Sequence, residues 1–296
     1  MVEADFTARG NEQPLITAES VSRAWGARIF RNDRIRERMQ EQILRETLLV
    51  DTSGEQVGQI NGLAVYAVGQ FHFGKPSRIT ARTHVGRNGV VDIERKVELG
   101  GPSHSKGVLI LSSFLAARYS PHRALSLSAS LVFEQSYGQV EGDSASLAEL
   151  CALISSLSGI PVRQDLAITG SVNQFGEVQP IGGVNEKVEG FFTTCQLKGG
   201  FSGTQGVIVP TTSVQNLMLD SEVVQAVRGG QFAVYAVARV EEAITLLLGK
   251  PAGKADDKGR YPKQSVFGII QQRLEKMREH ERQEHARDDH KDPSIH

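Results

Sequence analysis

The chain has little that would commit it to a specialised class. Only two of its 296 residues are cysteine, Cys151 and Cys195, and both sit inside apolar helical patterns, so they read as small core residues and not as a disulfide or metal pair. Charge of one sign is also missing: 33 basic residues stand against 34 acidic ones, a net charge of −1, and no long-range field selects nucleic acid or a membrane surface. No apolar run approaches the roughly 18 residues a spanning helix needs, and the N-terminus lacks a basic start followed by an apolar stretch. The expectation is a folded protein with no membrane partner and, by default, a cytoplasmic location. With 40% hydrophobic residues the chain can bury a sizeable core.

Periodicity divides the chain into three parts. Residues 1–15 are polar and unpatterned, and 16–43 form a charged helical stretch marked by Val21, Trp25, Ile29 and Ile35, so 1–46 reads as a small helical segment. From residue 48 to 99 the period changes to two. Antiparallel strands are expected at 57–68, 79–85 and 91–99, with turns at Gly69, Gly74-Lys75-Pro76 and 86–89. Element types then alternate: helices at 108–119, 144–157, 184–195 and 240–248, and strands at 124–133, 165–172, 206–209 and 232–237. The fold class is α/β (α+β), a mixed sheet with β-hairpins at its N-terminal side, over 47–249. Residues 250–263 read as a linker, and 266–290 as a charged helix without a broad apolar face, solvated or partner-bound.

Two segments carry chemistry. Val140-Glu141-Gly142-Asp143-Ser144-Ala145-Ser146 runs into a helix whose stripe is Leu147, Leu150, Cys151, Ile154 and Leu157. That puts Ser144 in the first turn, where free N–H groups and the positive helix end stabilise an alkoxide or oxyanion. The bland alternative makes Asp143 or Ser144 a simple N-cap. The second segment, Pro180-Ile181-Gly182-Gly183-Val184-Asn185-Glu186-Lys187, opens another helix with Val184, Val188, Phe191 and Cys195 buried and Asn185, Glu186 and Glu189 pointing away. Lys187 falls about 40° from Phe191, at the edge of that face. An ammonium held there loses hydration, and its pKa falls toward the range of a general base, at a cost of about 4 kcal/mol for a drop to near 7.5. The alternative is a lysine that snorkels from the core edge.

Gly-Asp-Ser-Ala-Ser followed 43 positions later by this lysine resembles the signature of the Lon protease family. So do Asn61-Gly62-Leu63-Ala64-Val65, His104-Ser105-Lys106-Gly107-Val108-Leu109 and Thr169-Gly170-Ser171-Val172, and Glu-Gly-Asp-Ser-Ala-Ser is the form of the B-type branch. The resemblance covers roughly residues 47–248. It implies a Lon-type proteolytic domain in which Ser144 is the nucleophile and Lys187 the base, a dyad that needs no histidine. It further implies that Thr169 orients the lysine, that the N–H groups of Asp143 and Ser144 receive the oxyanion, and that the Glu141 and Asp143 carboxylates tune the site. Substrates would be unfolded proteins or peptides, and the assembly a homo-oligomeric, six-fold ring. No cofactor or metal is expected in this chain; ATP and magnesium would act through an ATPase module, whose end the 1–46 segment resembles.

Other signals are weaker. Gly69-Gln70-Phe71-His72-Phe73-Gly74-Lys75 has phosphate-loop spacing, but Pro76 replaces the magnesium-binding Ser or Thr, so a hairpin turn is expected. His280 and His285 are five apart and do not share a helix face as zinc ligands would. A triad of Ser144 with His104 and Asp143 is superfluous beside the lysine. Binding of DNA by Arg31, Arg34, Arg36 and Arg38 is opposed by the interspersed Asp33, Glu37 and Glu41. The rival to an enzyme is a proteolytically silent ring or regulatory subunit.

Overall fold

The computed structural model describes residues 1–10, 15–69, 71–86, 89–119 and 127–289, with side chains as far as Glu279. Parts of several expected features, at 11–14, Gln70, 87–88, 124–126 and 290, and the side chains of His280 and His285, lie outside the described residues.

Three helices lead in: α1 (Val2–Gly10), α2 (Ala18–Asn32) and α3 (Arg34–Leu44). Thr17 starts α2 with a capping box, accepting from the Ser20 N–H at 3.2 Å while Ser20 Oγ accepts from the Thr17 N–H at 2.8 Å. The unexpected α1 docks through Ala4, Ala8 and Ala24, all buried. Contacts made by alanines leave no apolar stripe in the sequence, which is why 1–15 looks unpatterned. The stripe that did mark α2 and α3, Val21, Trp25 and Ile35, is exposed. Arg31, Arg36, Arg38 and Arg45 are paired with Glu3, Asp33, Glu41 and Glu41 respectively.

The body is built from β1 (Glu55–Gln56), β2 (Gln59–Val68), β3 (Phe71–His84), β4 (Gly89–Asp92), α4 (Ile93–Lys96), α5 (Pro102–Tyr119), β5 (Ser128–Phe133) and α6 (Ser146–Ser158). It continues with β6 (Val162–Arg163), β7 (Leu166–Ile168), β8 (Ser171–Val172), β9 (Val178–Gln179), α7 (Val184–Leu197), β10 (Gly206–Pro210), a 3-10 turn (Thr211–Asn216), α8 (Ser221–Arg228), β11 (Ala233–Val237), α9 (Val240–Leu248) and α10 (Val266–Asp289). Among the described residues the main sheet has seven strands in the order β11-β10-β7-β2-β3-β5-β4. It is mixed: β2 and β5 run antiparallel to β3, whereas β7, β10 and β11 run parallel to one another. One apolar cluster gathers α5, α6, α9 and α10, and a second gathers α7 and α8. Every residue of α6 is buried, which makes it the central helix. Gly159, at φ 73°, ends it in the left-handed conformation that glycine adopts without strain.

Four expectations are corrected. Gly74-Lys75-Pro76 is not a turn: β3 runs through it, paired with β2 from Val68↔Phe71 to Gln59↔Thr80. Pro76 is tolerated because β5 joins β3 only from Ile79 onward, so among the described residues this stretch has a neighbouring strand on one side alone. The expected strand 91–99 stops at Asp92, where α4 begins, and β4 pairs with β5 in parallel, not antiparallel. The N–H groups of Leu99 and Gly100 both return to the Glu94 carbonyl, a turn that loose alternation of Val91, Ile93, Val97 and Leu99 does not disclose. The amphipathic helix α8 was not foreseen. Finally, the charged tail is not simply solvated: Val266, Phe267, Ile270 and Leu274 of α10 are core residues, and Arg273 donates to the carbonyls of Ser156 and Leu157 at the end of α6. Four apolar residues in the first turns are diluted by the charged turns that follow.

Candidate active site

Three chain segments converge on Ser144. The loop before α6 is pinned by the Val140 N–H to the Leu99 carbonyl and by the Gly101 N–H to the Val140 carbonyl, and it turns at Gly142 with φ 86°. The link between β7 and β8 holds its other side, because the Ser144 carbonyl accepts from the Gly170 N–H at 2.9 Å and from Thr169 Oγ1 at 3.2 Å. Ser144 lies ahead of the helix and not in its first turn. The N-cap of α6 is Ala145, without a side-chain cap bond, so neither Asp143 nor Ser144 is there as a cap.

The third segment is the start of α7. Gly183, at φ 66°, provides its N-cap, and its carbonyl accepts from the Lys187 N–H at 3.1 Å. This first turn carries the Lys187 side chain to 2.8 Å from Ser144 Oγ and 3.1 Å from Thr169 Oγ1. Lys187 is 3% exposed and Thr169 fully buried. Because Thr169 spends its O–H on the Ser144 carbonyl, its lone pairs face the lysine, which fixes the amine's direction. Burial pulls the Lys187 pKa down to about 8. The Asp143 and Glu186 charges oppose that shift but are outweighed.

The supporting residues are sorted by the geometry. Asp143 is near enough for its charge to reach the lysine, and its Oδ2 accepts from Ser171 Oγ at 2.8 Å. Glu141 is turned elsewhere, onto the Ser103 N–H at the start of α5, and the bond to Ser103 holds its carboxyl below the usual range. Glu186, expected to point away from the buried stripe of α7, is half-buried there and its charge reaches Lys187. Sequence reasoning missed how α7 approaches the sheet. A Cβ on Gly74 would lie 1.8 Å from the Glu186 carbonyl oxygen, and one on Gly190 would lie 2.3 Å from the Gly74 carbonyl oxygen. The misread glycine of β3 is thus the seat of the lysine's helix.

Among the described residues no acceptor is bonded to the backbone N–H of Asp143 or Ser144. An open cleft leads to Ser144, walled by Leu63, Val65, Tyr66, Tyr137 and Ile181. Beside it β7 pairs only with Asn61 and Gly62 of β2, so among the described residues Leu63–Val68 has a strand on one side alone. His104 does not join this site; it is buried against Asp92 and Glu149. Cys151 and Cys195 are free, and burial pushes both thiols up. No helix of the described residues is long and apolar enough to cross a membrane.

Residues 138–250 match the family described as the Lon protease (S16) C-terminal proteolytic domain. A Lon protease homolog of Escherichia coli strain K12 is 52% identical over 223 residues, 75% of this chain and 38% of that protein. A Lon protease homolog of Haemophilus influenzae is 45% identical over 250 residues, 84% of the chain and 41% of the relative. The archaeal Lon protease of Archaeoglobus fulgidus is 29% identical over 198 residues, 67% of the chain and 29% of the relative. The chain therefore spans about two fifths of the length of its more similar curated relatives. The matched segment contains Ser144, Lys187 and Thr169, and the chain belongs to the Lon protease family, whose proteolytic domain is that of a serine-type peptidase.

Proposed function

We propose that the chain is a serine endopeptidase in which Ser144 attacks the scissile carbonyl while Lys187 takes its proton. The observation that carries this reading is a buried lysine amine 2.8 Å from the Ser144 hydroxyl, with Thr169 as its other partner. At the operating pH a fraction of that amine is neutral and accepts the Ser144 proton. The oxyanion that forms is received by the free N–H groups of Asp143 and Ser144, and the resulting ammonium protonates the departing amine. An ester on Ser144 remains; Lys187, neutral again, activates water to hydrolyse it.

Substrate chemistry follows from the open side of β2. An extended polypeptide bonds along Leu63–Val68 as an added strand and lays its side chains into the apolar cleft. Only unfolded protein or flexible peptide presents such a strand, so stable folds are spared unless a motor unfolds them. The proposal accordingly includes an ATPase module as the source of ATP and magnesium dependence, a six-fold homo-oligomeric ring, cytoplasmic protein degradation, and no cofactor in the cleavage steps themselves. Paired arginines on α2 and α3 speak against a DNA site.

The test is digestion without nucleotide. At about pH 8.5, where most of the amine is neutral, casein is expected to be cut to short peptides and a stable folded domain left whole. No cleavage of casein at any pH would instead favour a silent subunit. The same assay has a pH signature. With Lys187 at about 8, kcat/KM rises about tenfold between roughly pH 7 and pH 9 and then levels. A rate that falls over this interval contradicts lysine as the base.

A further inference from the structure

The proposed chemistry leaves a second group of titratable side chains unused. Asp92 at the end of β4, Glu94 on α4, His104 on α5 and Glu149 on α6 are 6%, 3%, 1% and 1% exposed. His104 lies between two of the carboxylates: Nε2 is hydrogen-bonded to Asp92 Oδ1 at 3.4 Å, with Oδ2 3.3 Å away but not aligned for a bond, and Nδ1 stands 3.7 Å from Glu149 Oε1. Glu94 commits Oε1 to the Phe133 N–H at 2.8 Å. Its Oε2 has no hydrogen-bond partner, and neither does Asp92 Oδ2 or Glu149 Oε2, although all three atoms are buried.

Buried carboxylate oxygens are ordinarily saturated with donors or matched by cations. Here three carboxylates face one imidazole, and among the described residues no lysine or arginine forms an ion pair with any of them. The unmet demand is for positive charge with lone-pair acceptor chemistry. One oxygen each from Asp92 and Glu94 and one ring nitrogen of His104 lie within 4.8 Å of one another. Two ligands at 2.0–2.2 Å from a common ion are at most about 4.4 Å apart, so modest side-chain rotation closes the set.

We propose that Asp92, Glu94 and His104 bind a divalent transition-metal ion, of the zinc or manganese type, with Glu149 as the outer acceptor that orients His104. One imidazole with two carboxylates suits such ions better than calcium, which prefers six to eight oxygens. Metal-bound histidines characteristically donate their remaining N–H to a carboxylate, and Glu149 Oε1, 3.7 Å from Nδ1, reaches that role with a small side-chain shift. Binding uses the neutral imidazole and the ionised carboxylates, so any protons these groups hold leave to solvent. Asp92 also lines a surface cavity with Ser105, Arg95 and Lys96, which supplies a route in past two basic side chains. The ion joins β4, α4 and α5 directly and α6 through Glu149, so it acts as a clasp in the fold, independent of the Ser144–Lys187 chemistry. This departs from the expectation that the chain holds no metal.

The test uses the whole chain, stripped by a chelator and then titrated with cobalt(II) and, separately, zinc(II). One cobalt per chain is expected, with visible ligand-field absorption that zinc displaces, a Kd below about 10 μM, and a Tm that rises with added zinc. Asp92→Asn and Glu94→Gln, each verified as folded by circular dichroism, are expected to lose the absorption. Glu149→Gln keeps the ligand set and is expected to weaken binding about 10- to 100-fold. If a ligand variant fails to fold, Glu149→Gln and the zinc-dependent Tm of the unsubstituted chain decide the matter. Absence of both absorption and Tm shift at about 100 μM metal overturns the proposal and leaves a proton-sharing network. Binding that is unchanged in the folded ligand variants or in Glu149→Gln overturns it too, since the ion then sits elsewhere.

Discussion

Replacing Lys187 with methionine is expected to abolish cleavage and, at neutral pH, to make the fold more stable. Burial lowers this lysine from 10.5 to about 8, which corresponds to about 3 kcal/mol of unfavourable desolvation in the folded state. Below about pH 8 the ammonium is charged in both states and the folded chain carries the whole penalty. Between about 8 and 10.5 the unfolded chain keeps a proton that the folded chain has released, so stability climbs with pH. Above that range both states are neutral and the penalty is gone. Methionine fills similar space without charge and loses the bonds to Ser144 and Thr169, for a net gain of about 1–3 kcal/mol at pH 7 that shrinks toward zero near pH 10.5. Cleavage should fall by on the order of a thousandfold or more, because a hydroxyl without its base is a poor nucleophile. Denaturant unfolding of both proteins at the two pH values, beside casein digestion, checks both halves. A methionine variant that is less stable at pH 7 than at pH 10.5, relative to the unsubstituted chain, would contradict a desolvated lysine.

Gly74→Ala is expected to damage the site from outside it. The added Cβ meets the Glu186 carbonyl oxygen at 1.8 Å and Lys187 Cα at 2.9 Å, and these are backbone atoms that give way only if α7 moves as a body. A displacement of about 1 Å is enough to break the 2.8 Å contact between Nζ and Ser144 Oγ. About a hundredfold loss of kcat/KM is expected, with about 1–3 kcal/mol of destabilisation from overpacking. Gly26→Ala on α2 is the control, since a Cβ there meets nothing within 4 Å. Equal activity in the two variants would mean that α7 does not depend on its close seat against β3.

The same glycine shows what sequence reading can and cannot reach. Ser144 and Lys187 could be singled out because one stands just before and the other in the first turn of a helix whose apolar period is clean, and because the motifs around them are specific in residue and spacing. Thr169 could be named only through the family resemblance; nothing in its own surroundings says that its hydroxyl faces a lysine 18 positions away. Gly74-Lys75-Pro76 reads as a turn by local chemistry, whereas tertiary packing makes Gly74 a strand residue that another helix must touch. Glu141 turns to Ser103 for a related reason: proximity in sequence to Ser144 does not determine which way a carboxylate points. The main sheet and its helical layers followed from alternation of period. The entry helices and the buried start of α10 did not, since their contacts use alanines or a few apolar residues beside a charged run.

The central claim is that Ser144 carries the acyl group, and the most direct measurement is digestion of casein by the unsubstituted chain and by Ser144→Ala, side by side at about pH 8.5, with fragments identified by mass spectrometry. The account predicts short peptides from the first and intact casein from the second, with the Ser144→Ala protein folded as judged by circular dichroism. The same fragments appearing at the same rate from the alanine variant would contradict it.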